Sequence, residues 1–253
     1  MNIAIVTGAS AGLGSEFARQ LSKESSVDRI WLIARREDRL AEVAASLSKP
    51  VDIFALDLLD DEALSSVTAR LTWEDTVTWL VNNAGIGLVG SFAEQSVDDQ
   101  RAMVRLNNEV PAALTRACEP FLKDGSIVLN IASVAGFLPQ PGFTTYAATK
   151  AMLISFSRAL NQEWRKRGIQ VTAVCPNPME TEFFEKSQAR GKKTSKIKRL
   201  GLEDPEKVVF YAILNAKNGR DLSVTHPFGK LIHVFSNLVP KRFSFWVMRR
   251  LGL

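Results

Sequence analysis

Histidine, cysteine and tyrosine are scarce in this chain, and each scarcity narrows what it can be. Two histidines, His226 and His233, are too few for a histidine-based metal centre. Two cysteines, Cys118 and Cys175, stand far apart without metal-ligand spacing, so neither a disulfide framework nor a zinc site is expected. No apolar run approaches the length that spans a bilayer. The N-terminus has no basic stretch followed by an apolar segment and a small-residue cleavage site. It begins at once with the strand-like Asn2-Ile-Ala-Ile-Val-Thr7, and a cytoplasmic location is the expectation. The net charge of +5 is modest, and no nucleic-acid recognition motif accompanies it, so no nucleic-acid partner is expected.

What remains fits one large globular domain. Of 253 residues, 46% are hydrophobic and 23% charged, with no internal repeat or linker before residue 185. Short runs rich in Val and Ile predict strands at Ile3–Thr7, Arg29–Ala34, Val51–Leu56, Val77–Asn82, Ser126–Ile131 and Ile169–Val174. Helices are predicted between them, near Gly12–Lys23, Glu37–Leu47, Asp60–Leu71, Val97–Leu122 and Thr144–Arg167. Asp204-Pro205 opens a further helix reaching about Ala216, and Asp221–Thr225 reads as a last strand. Repeated βα units imply an α/β fold, a doubly wound parallel sheet with helices on both faces. Such sheets bind ligands beyond the carboxyl ends of their strands, where all the following motifs fall.

The first strand runs into Thr7-Gly-Ala-Ser-Ala-Gly-Leu-Gly14. Gly8, Gly12 and Gly14 allow a tight turn and close approach of a phosphate, and the next helix presents free N–H groups. The spacing is G-x-x-x-G-x-G, and a glycine loop alone is a weak signal. At the second strand end, Arg35 stands where an acid would hold a ribose 2′-hydroxyl, and Arg36 follows it. An arginine there suits a 2′-phosphate, so NADP(H) is preferred over NAD(H); plain surface charge is the alternative. Asp57 and Leu58 follow the third strand, in reach of an adenine ring. Asn82-Asn83-Ala84-Gly85 follows the fourth, as a seat for a flat ring or as an ordinary turn.

Tyr146-Ala-Ala-Thr-Lys150 carries the chemistry. At i and i+4 of a helix, phenol and ammonium reach a common point. A cation held there is expected to pull the phenol pKa toward neutrality and fit it for general acid–base catalysis. Ser133, after the fifth strand, is placed to bind a carbonyl oxygen.

Taken together, Thr7-Gly-x-x-x-Gly-x-Gly14, Asn82-Asn-Ala-Gly85, Asn107, Ser133 and Tyr146-x-x-x-Lys150 resemble the classical short-chain dehydrogenase/reductase family in order and spacing, over about residues 1–181. The resemblance implies a Rossmann-type fold and a catalytic set of Asn107, Ser133, Tyr146 and Lys150. By that likeness Tyr146 exchanges the proton, Lys150 binds the nicotinamide ribose, Ser133 steadies the reacting oxygen and Asn107 holds a relay water. It also implies a cofactor site of Gly8, Ser10, Gly12, Leu13, Gly14, Arg35, Arg36, Asp57, Leu58, Asn83, Ala84, Gly85, Tyr146, Lys150, Pro176, Met179 and Thr181, with no metal. One departure is Pro176-Asn177, where the family has Pro-Gly; Asn tolerates left-handed backbone angles and is expected to keep the turn. The family likeness further implies a homodimer or homotetramer through the helices near 97–122 and 144–167.

The expected function is therefore an NADP(H)-dependent oxidoreductase interconverting a carbonyl and a secondary alcohol, on an apolar small-molecule substrate. Phe137, Leu138, Phe143, Met179, Phe183 and Phe184 suggest an apolar pocket, with ordinary core as the alternative for each. A nucleotide-sensing protein or a membrane-surface binder on the same fold is the alternative. A variable lid is expected at about 182–200, with a basic run from Arg190 to Arg199 that is either a solvated loop or an attractor of anions. A C-terminal helical extension is expected at about 226–253, with one short amphipathic helix carrying Leu231, Ile232, Phe235, Leu238 and Val239, a break at Pro240, and a second helix carrying Phe243, Phe245, Trp246, Val247, Met248 and Leu251. Its apolar face needs a cover, and the substrate cleft or a subunit contact is preferred to a membrane surface.

Overall fold

The computed structural model describes residues 1–179 and 201–238. Thr181, Phe183, Phe184, the expected lid and the segment from 239 onward lie outside the described residues.

Six strands alternate with helices through the first part of the chain: β1 (Asn2–Thr7), α1 (Gly12–Leu21), β2 (Arg29–Ala34), α2 (Glu37–Ala45), β3 (Val51–Ala55), α3 (Ala63–Thr68), β4 (Thr76–Asn82), α4 (Val97–Val104), α5 (Val110–Cys118), β5 (Ile127–Ile131), α6 (Thr144–Trp164) and β6 (Gln170–Val174). Then come α7 (Pro205–Lys217), the short β7 (Leu222–Ser223) and α8 (Pro227–Leu238). The seven strands form one sheet in the order β3-β2-β1-β4-β5-β6-β7, with every pair parallel. This is the expected Rossmann-type doubly wound sheet.

The alternation inside each strand explains why both faces are covered. Ala4 and Val6 of β1 face a cluster with Phe17 and Leu21 of α1 and Val208 and Ala212 of α7. Ile3 and Ile5 face the opposite cluster, with Val67 of α3 and Leu114 and Cys118 of α5. Neither face of β1 is left to water, and strands covered in this way read as continuous apolar runs. The register then aligns the strand ends: Thr7 opposite Ile33, Ala34 opposite Ala55, Asn82 opposite Asn130, and Ile131 opposite Val174. The motifs that follow these residues all emerge at one edge. The order reverses between β1 and β4, and beyond the ends of these two strands lies the crevice where such sheets bind ligands.

The predicted helix Val97–Leu122 is not continuous. A π-turn, Arg105–Glu109, separates α4 from α5, with Val110 N donating to Arg105 O five residues back. Pro111 accounts for the break. It has no N–H for the carbonyl of Asn107 four residues earlier, and its ring clashes with a regular helical path there. The predicted Asp60–Leu71 helix is shorter, Ala63–Thr68, because Asp60 and Ala63 are held in successive turns after Asp57.

Asn177 takes no left-handed angle, against expectation: among the described residues no non-glycine residue has a positive φ. The turn after β6 keeps its course instead because the Asn177 N–H is bound by the Glu203 carboxylate at 2.6 Å.

A buried polar line crosses the middle of the sheet. Asn82 Nδ2 donates to Thr115 Oγ1 at 2.9 Å and to Asn130 Oδ1 at 2.8 Å, and Asn130 Nδ2 donates to Ser157 Oγ at 2.9 Å. These bonds fasten α5 and α6 to β4 and β5, so both helices are held in place beneath the strand ends.

Candidate active site

Tyr146 and Lys150 lie one turn apart on α6, and both are buried. The Ser133 side chain lies beside the Tyr146 hydroxyl and favours its ionised form. Ser133 stands in extended backbone just past β5, with its Oγ also accepting from Ala135 N at 3.1 Å. Lys150 Nζ donates to the Ile131 carbonyl at 2.7 Å and lies 5.5 Å from the centre of the Tyr146 ring. Three of the four candidate catalytic residues thus converge where β5 ends.

The fourth, Asn107, is in the π-turn and works as a clamp. Its Oδ1 accepts from Ile86 N at 2.9 Å; its Nδ2 donates to Ile86 O at 2.9 Å and to Thr149 Oγ1 at 3.0 Å. The side-chain amide is therefore used to join the loop after β4 to α6. Its backbone carbonyl receives no hydrogen bond from position 111, where Pro111 has no N–H. Thr149, which the sequence did not single out, completes the joint by donating to Tyr146 O at 2.7 Å. Asn108 adds a second tie, from Nδ2 to Thr149 O at 2.8 Å.

The electrostatics correct one expectation. Burial pushes the Tyr146 phenol up, to about 12, and the Ser133 side chain only partly offsets this. The same burial brings the Lys150 ammonium down to about 8. A nearby cation was expected to draw the phenol toward neutrality, but desolvation penalises both charged forms at once and prevails here. The phenol is held protonated at neutral pH.

At the end of β1, Gly8 has φ +64°, and a Cβ on Gly14 would sit 2.2 Å from the Gly8 carbonyl. Only glycine permits this close packing of loop on helix. Asn83 Nδ2 donates to the Thr7 and Gly8 carbonyls at 3.0 and 3.2 Å. Thr7 Oγ1 in turn accepts from Asn83 N at 2.9 Å and Ala84 N at 3.0 Å. The two glycine-bearing loops are thereby locked together where β1 and β4 end, with Gly85 beside Asn107 and Lys150. At the start of α1, Ala11 offers no side-chain cap and the first turn has no acid. Its N–H groups thus face no competing side chain, as a phosphate site requires.

Arg36 Nη2 donates to Ser10 Oγ at 3.2 Å, directly over this loop. Arg35 is exposed and pairs with Asp57 at 3.5 Å. Leu13 and Leu58 lie in the two core clusters, so their side chains are taken up by packing. Pro176 is buried and Met179 packs against the first core cluster, both just past β6. Ile86, Leu88 and Phe143 pack around Tyr146, with the Phe143 ring 4.4 Å from the Tyr146 ring. Phe137 contacts His233 of α8 with ring centroids 4.7 Å apart. A separate recess of about 470 Å³ between α6 and Asp221 shares no residue with this constellation.

The residues present fit a dinucleotide. The glycine loop and bare helix start suit the pyrophosphate, and the arginines flank the position of a ribose substituent.

Comparison with known proteins bears on this arrangement. The sequence pattern described as short chain dehydrogenase matches residues 2–192. A sulfoacetaldehyde reductase of Chromohalobacter salexigens is 37% identical over 193 residues, 72% of this chain and 74% of that protein. A short-chain dehydrogenase from Sphingobium yanoikuyae, solved in complex with NADPH, superposes with a TM-score of 0.78 at 25% identity, covering 100% of this chain and 94% of that one. A bulky-bulky ketone specific alcohol dehydrogenase from Comamonas testosteroni superposes with a TM-score of 0.74 at 25% identity, over 100% of this chain and 93% of that one. The chain is a member of the short-chain dehydrogenase/reductase family, an oxidoreductase that uses a nicotinamide dinucleotide.

Proposed function

We propose that this oxidoreductase uses NADP(H) to interconvert a carbonyl and a secondary alcohol on an apolar substrate. The observation that carries the reading is the buried Tyr146–Lys150 pair, one helical turn apart on α6 with Lys150 Nζ bound to the Ile131 carbonyl, beside Ser133 at the strand ends that also carry the glycine loop. The bound cofactor supplies or accepts the hydride. Ser133 donates a hydrogen bond to the carbonyl oxygen and holds it against Tyr146. Tyr146, kept protonated by burial, gives its phenolic proton to that oxygen as negative charge develops there. Lys150 would hold the ribose hydroxyls, and its ammonium supports recovery of the phenol proton from solvent. In the oxidative direction the phenol first gives its proton to solvent along the same path, and the phenolate then takes the proton of the alcohol.

Gly8, Gly12 and Gly14 with the α1 N–H groups hold the pyrophosphate, and Asn83, Ala84 and Gly85 line the floor. Arg35 and Arg36, facing Asp57 and Ser10, are placed for a 2′-phosphate. The Sphingobium yanoikuyae protein binds NADPH, in keeping with this reading. An apolar substrate is favoured by Ile86, Leu88 and Phe143 around Tyr146, and the Comamonas testosteroni neighbour is specific for bulky ketones. Ile232 and His233 of α8 pack against the segment after Ser133, so α8 serves as a wall of the same pocket. A homodimer or homotetramer through α4, α5 and α6 is supported by exposed Val97, Val104 and Met152.

Three outcomes test the reading. Tyr146→Phe lowers kcat by about 10²–10⁴-fold while the NADPH dissociation constant, followed by fluorescence, stays within about threefold. Retention of most of the wild-type kcat contradicts the role of Tyr146. Wild-type protein binds NADPH more tightly than NADH, and Arg35→Asp removes about 1.5–3 kcal/mol of the NADPH binding energy; equal wild-type affinities contradict the role of Arg35.

The third outcome concerns pH. In the free protein Lys150 titrates near 8, so its ammonium is present below that pH and lost above it. NADPH affinity therefore holds below pH 8 and falls above it, by at most about tenfold per pH unit. Lys150→Met abolishes the inflection. A wild-type affinity that is flat up to pH 9.5 contradicts the assignment.

A further inference from the structure

After β6 the chain turns at Pro176-Asn177, and the turn is wired to the candidate site. The Pro176 carbonyl accepts a hydrogen bond from Val134 N at 3.2 Å, one residue past Ser133. The turn is held from the other side by Glu203. Glu203 Oε2 accepts from Asn177 N at 2.6 Å, and Glu203 N donates to Pro178 O at 3.1 Å. Two hydrogen bonds thus close a ring between positions 26 residues apart in sequence.

This use of Glu203 is not explained by the helix that follows. Asp204 caps α7, accepting from Glu206 N at 3.0 Å, with Pro205 in the first turn. Glu203 is directed away from that helix start, onto Asn177. Burial raises its carboxyl above the ordinary value, and the Asn177 N–H and the nearby His226 partly restore the charged form. His226 is itself fixed: its Nδ1 accepts from Phe228 N at 3.1 Å in the first turn of α8, so any proton on the neutral ring is at Nε2. The ring lies against Gly201, where a Cβ would come within 2.6 Å of Nε2. α8 then presses on the same loop, since a Cβ on Gly229 would meet Val134 at 3.0 Å. Elements distant in sequence therefore converge on the turn, and one carboxylate binds its backbone. Placing a carboxylate under partial burial is costly, and a short charge-assisted bond to a backbone N–H repays it best when the geometry is fixed.

We infer that Glu203 is a positioning residue for the candidate site: it holds the Pro176–Pro178 turn and, through the Pro176–Val134 hydrogen bond, the backbone that carries Ser133. The inference rests on the proposed role of Ser133 and Tyr146, and adds a residue that touches neither substrate nor cofactor. Without the carboxylate the Asn177 N–H loses its acceptor, the turn relaxes, and the Ser133 hydroxyl is no longer held in line with Tyr146.

The test compares Glu203→Ala with Glu203→Gln in the full chain. A glutamine oxygen still accepts from Asn177 N, so the conservative variant keeps the geometry and loses only the charge. By amide hydrogen exchange, Glu203→Ala speeds exchange at Asn177 and Val134 by about tenfold or more, whereas Glu203→Gln stays within about threefold of wild type. In NADPH-dependent carbonyl reduction, Glu203→Ala lowers kcat by about 10–100-fold with little change in KM, and Glu203→Gln recovers most of it. Unchanged exchange at Asn177 and Val134 in Glu203→Ala overturns the inference. So does equal loss of protection in both variants at a wild-type melting temperature. If Glu203→Ala is destabilised throughout, Glu203→Gln decides: wild-type exchange at both amides supports the clamp, and fast exchange overturns it. A wild type that reduces no carbonyl refutes the proposed function, and the exchange measurement still decides the clamp.

Discussion

The burial of an ammonium and a phenol side by side is the constraint on which the rest depends. Lys150 is buried, and its Nζ donates to the Ile131 carbonyl at the end of β5. Tyr146 cannot ionise cheaply, so it remains a proton donor. A buried polar pair of this kind persists only when its surroundings are rigid and hydrogen-bonded. The π-turn supplies part of that rigidity, because Asn107 ties Ile86 to Thr149 and Thr149 ties back to Tyr146. The line from Asn82 through Asn130 to Ser157 supplies another part, fastening α6 to the sheet.

The same economy is visible at the crevice. Thr7 and Asn83 bond to each other where the paired strands β1 and β4 end, so the glycine loop and the loop after β4 form one surface. A phosphate at the start of α1 and a ring against Gly85 would then share a rigid frame with Lys150. The parallel register of β1, β4 and β5 brings the ends of these strands, and the motifs that follow them, to one edge of the sheet. Chemistry and affinity differ mainly in which loops they draw on.

Much of this was legible in the sequence, for definite reasons. Apolar runs marked the strands to within a residue or two, since strands covered on both faces carry no polar alternation to confuse the reading. Tyr146, Lys150 and Ser133 were legible because the chain holds so few tyrosines and because the motifs follow strand ends. The π-turn was missed, although Pro111 four residues after Asn107 is a local signal of it. The direction of the Tyr146 shift was misjudged because a neighbouring charge can be read from spacing, whereas burial cannot. Asn177 was expected to keep its turn by its own backbone freedom; the turn is held instead by Glu203, a contact between distant segments that no local pattern encodes. Thr149 was passed over for the same reason, since its partner Asn107 is remote in sequence.

The central claim is that this buried cluster protonates a carbonyl oxygen while a hydride reaches its carbon. Reduction of a bulky apolar ketone with NADPH carrying deuterium at the transferable C4 position tests it most directly. Mass spectrometry of the alcohol should find one deuterium on the carbinol carbon, with a slower single-turnover rate than with unlabelled NADPH. Product without deuterium, or no alcohol from any of a broad panel of apolar ketones, would contradict the account.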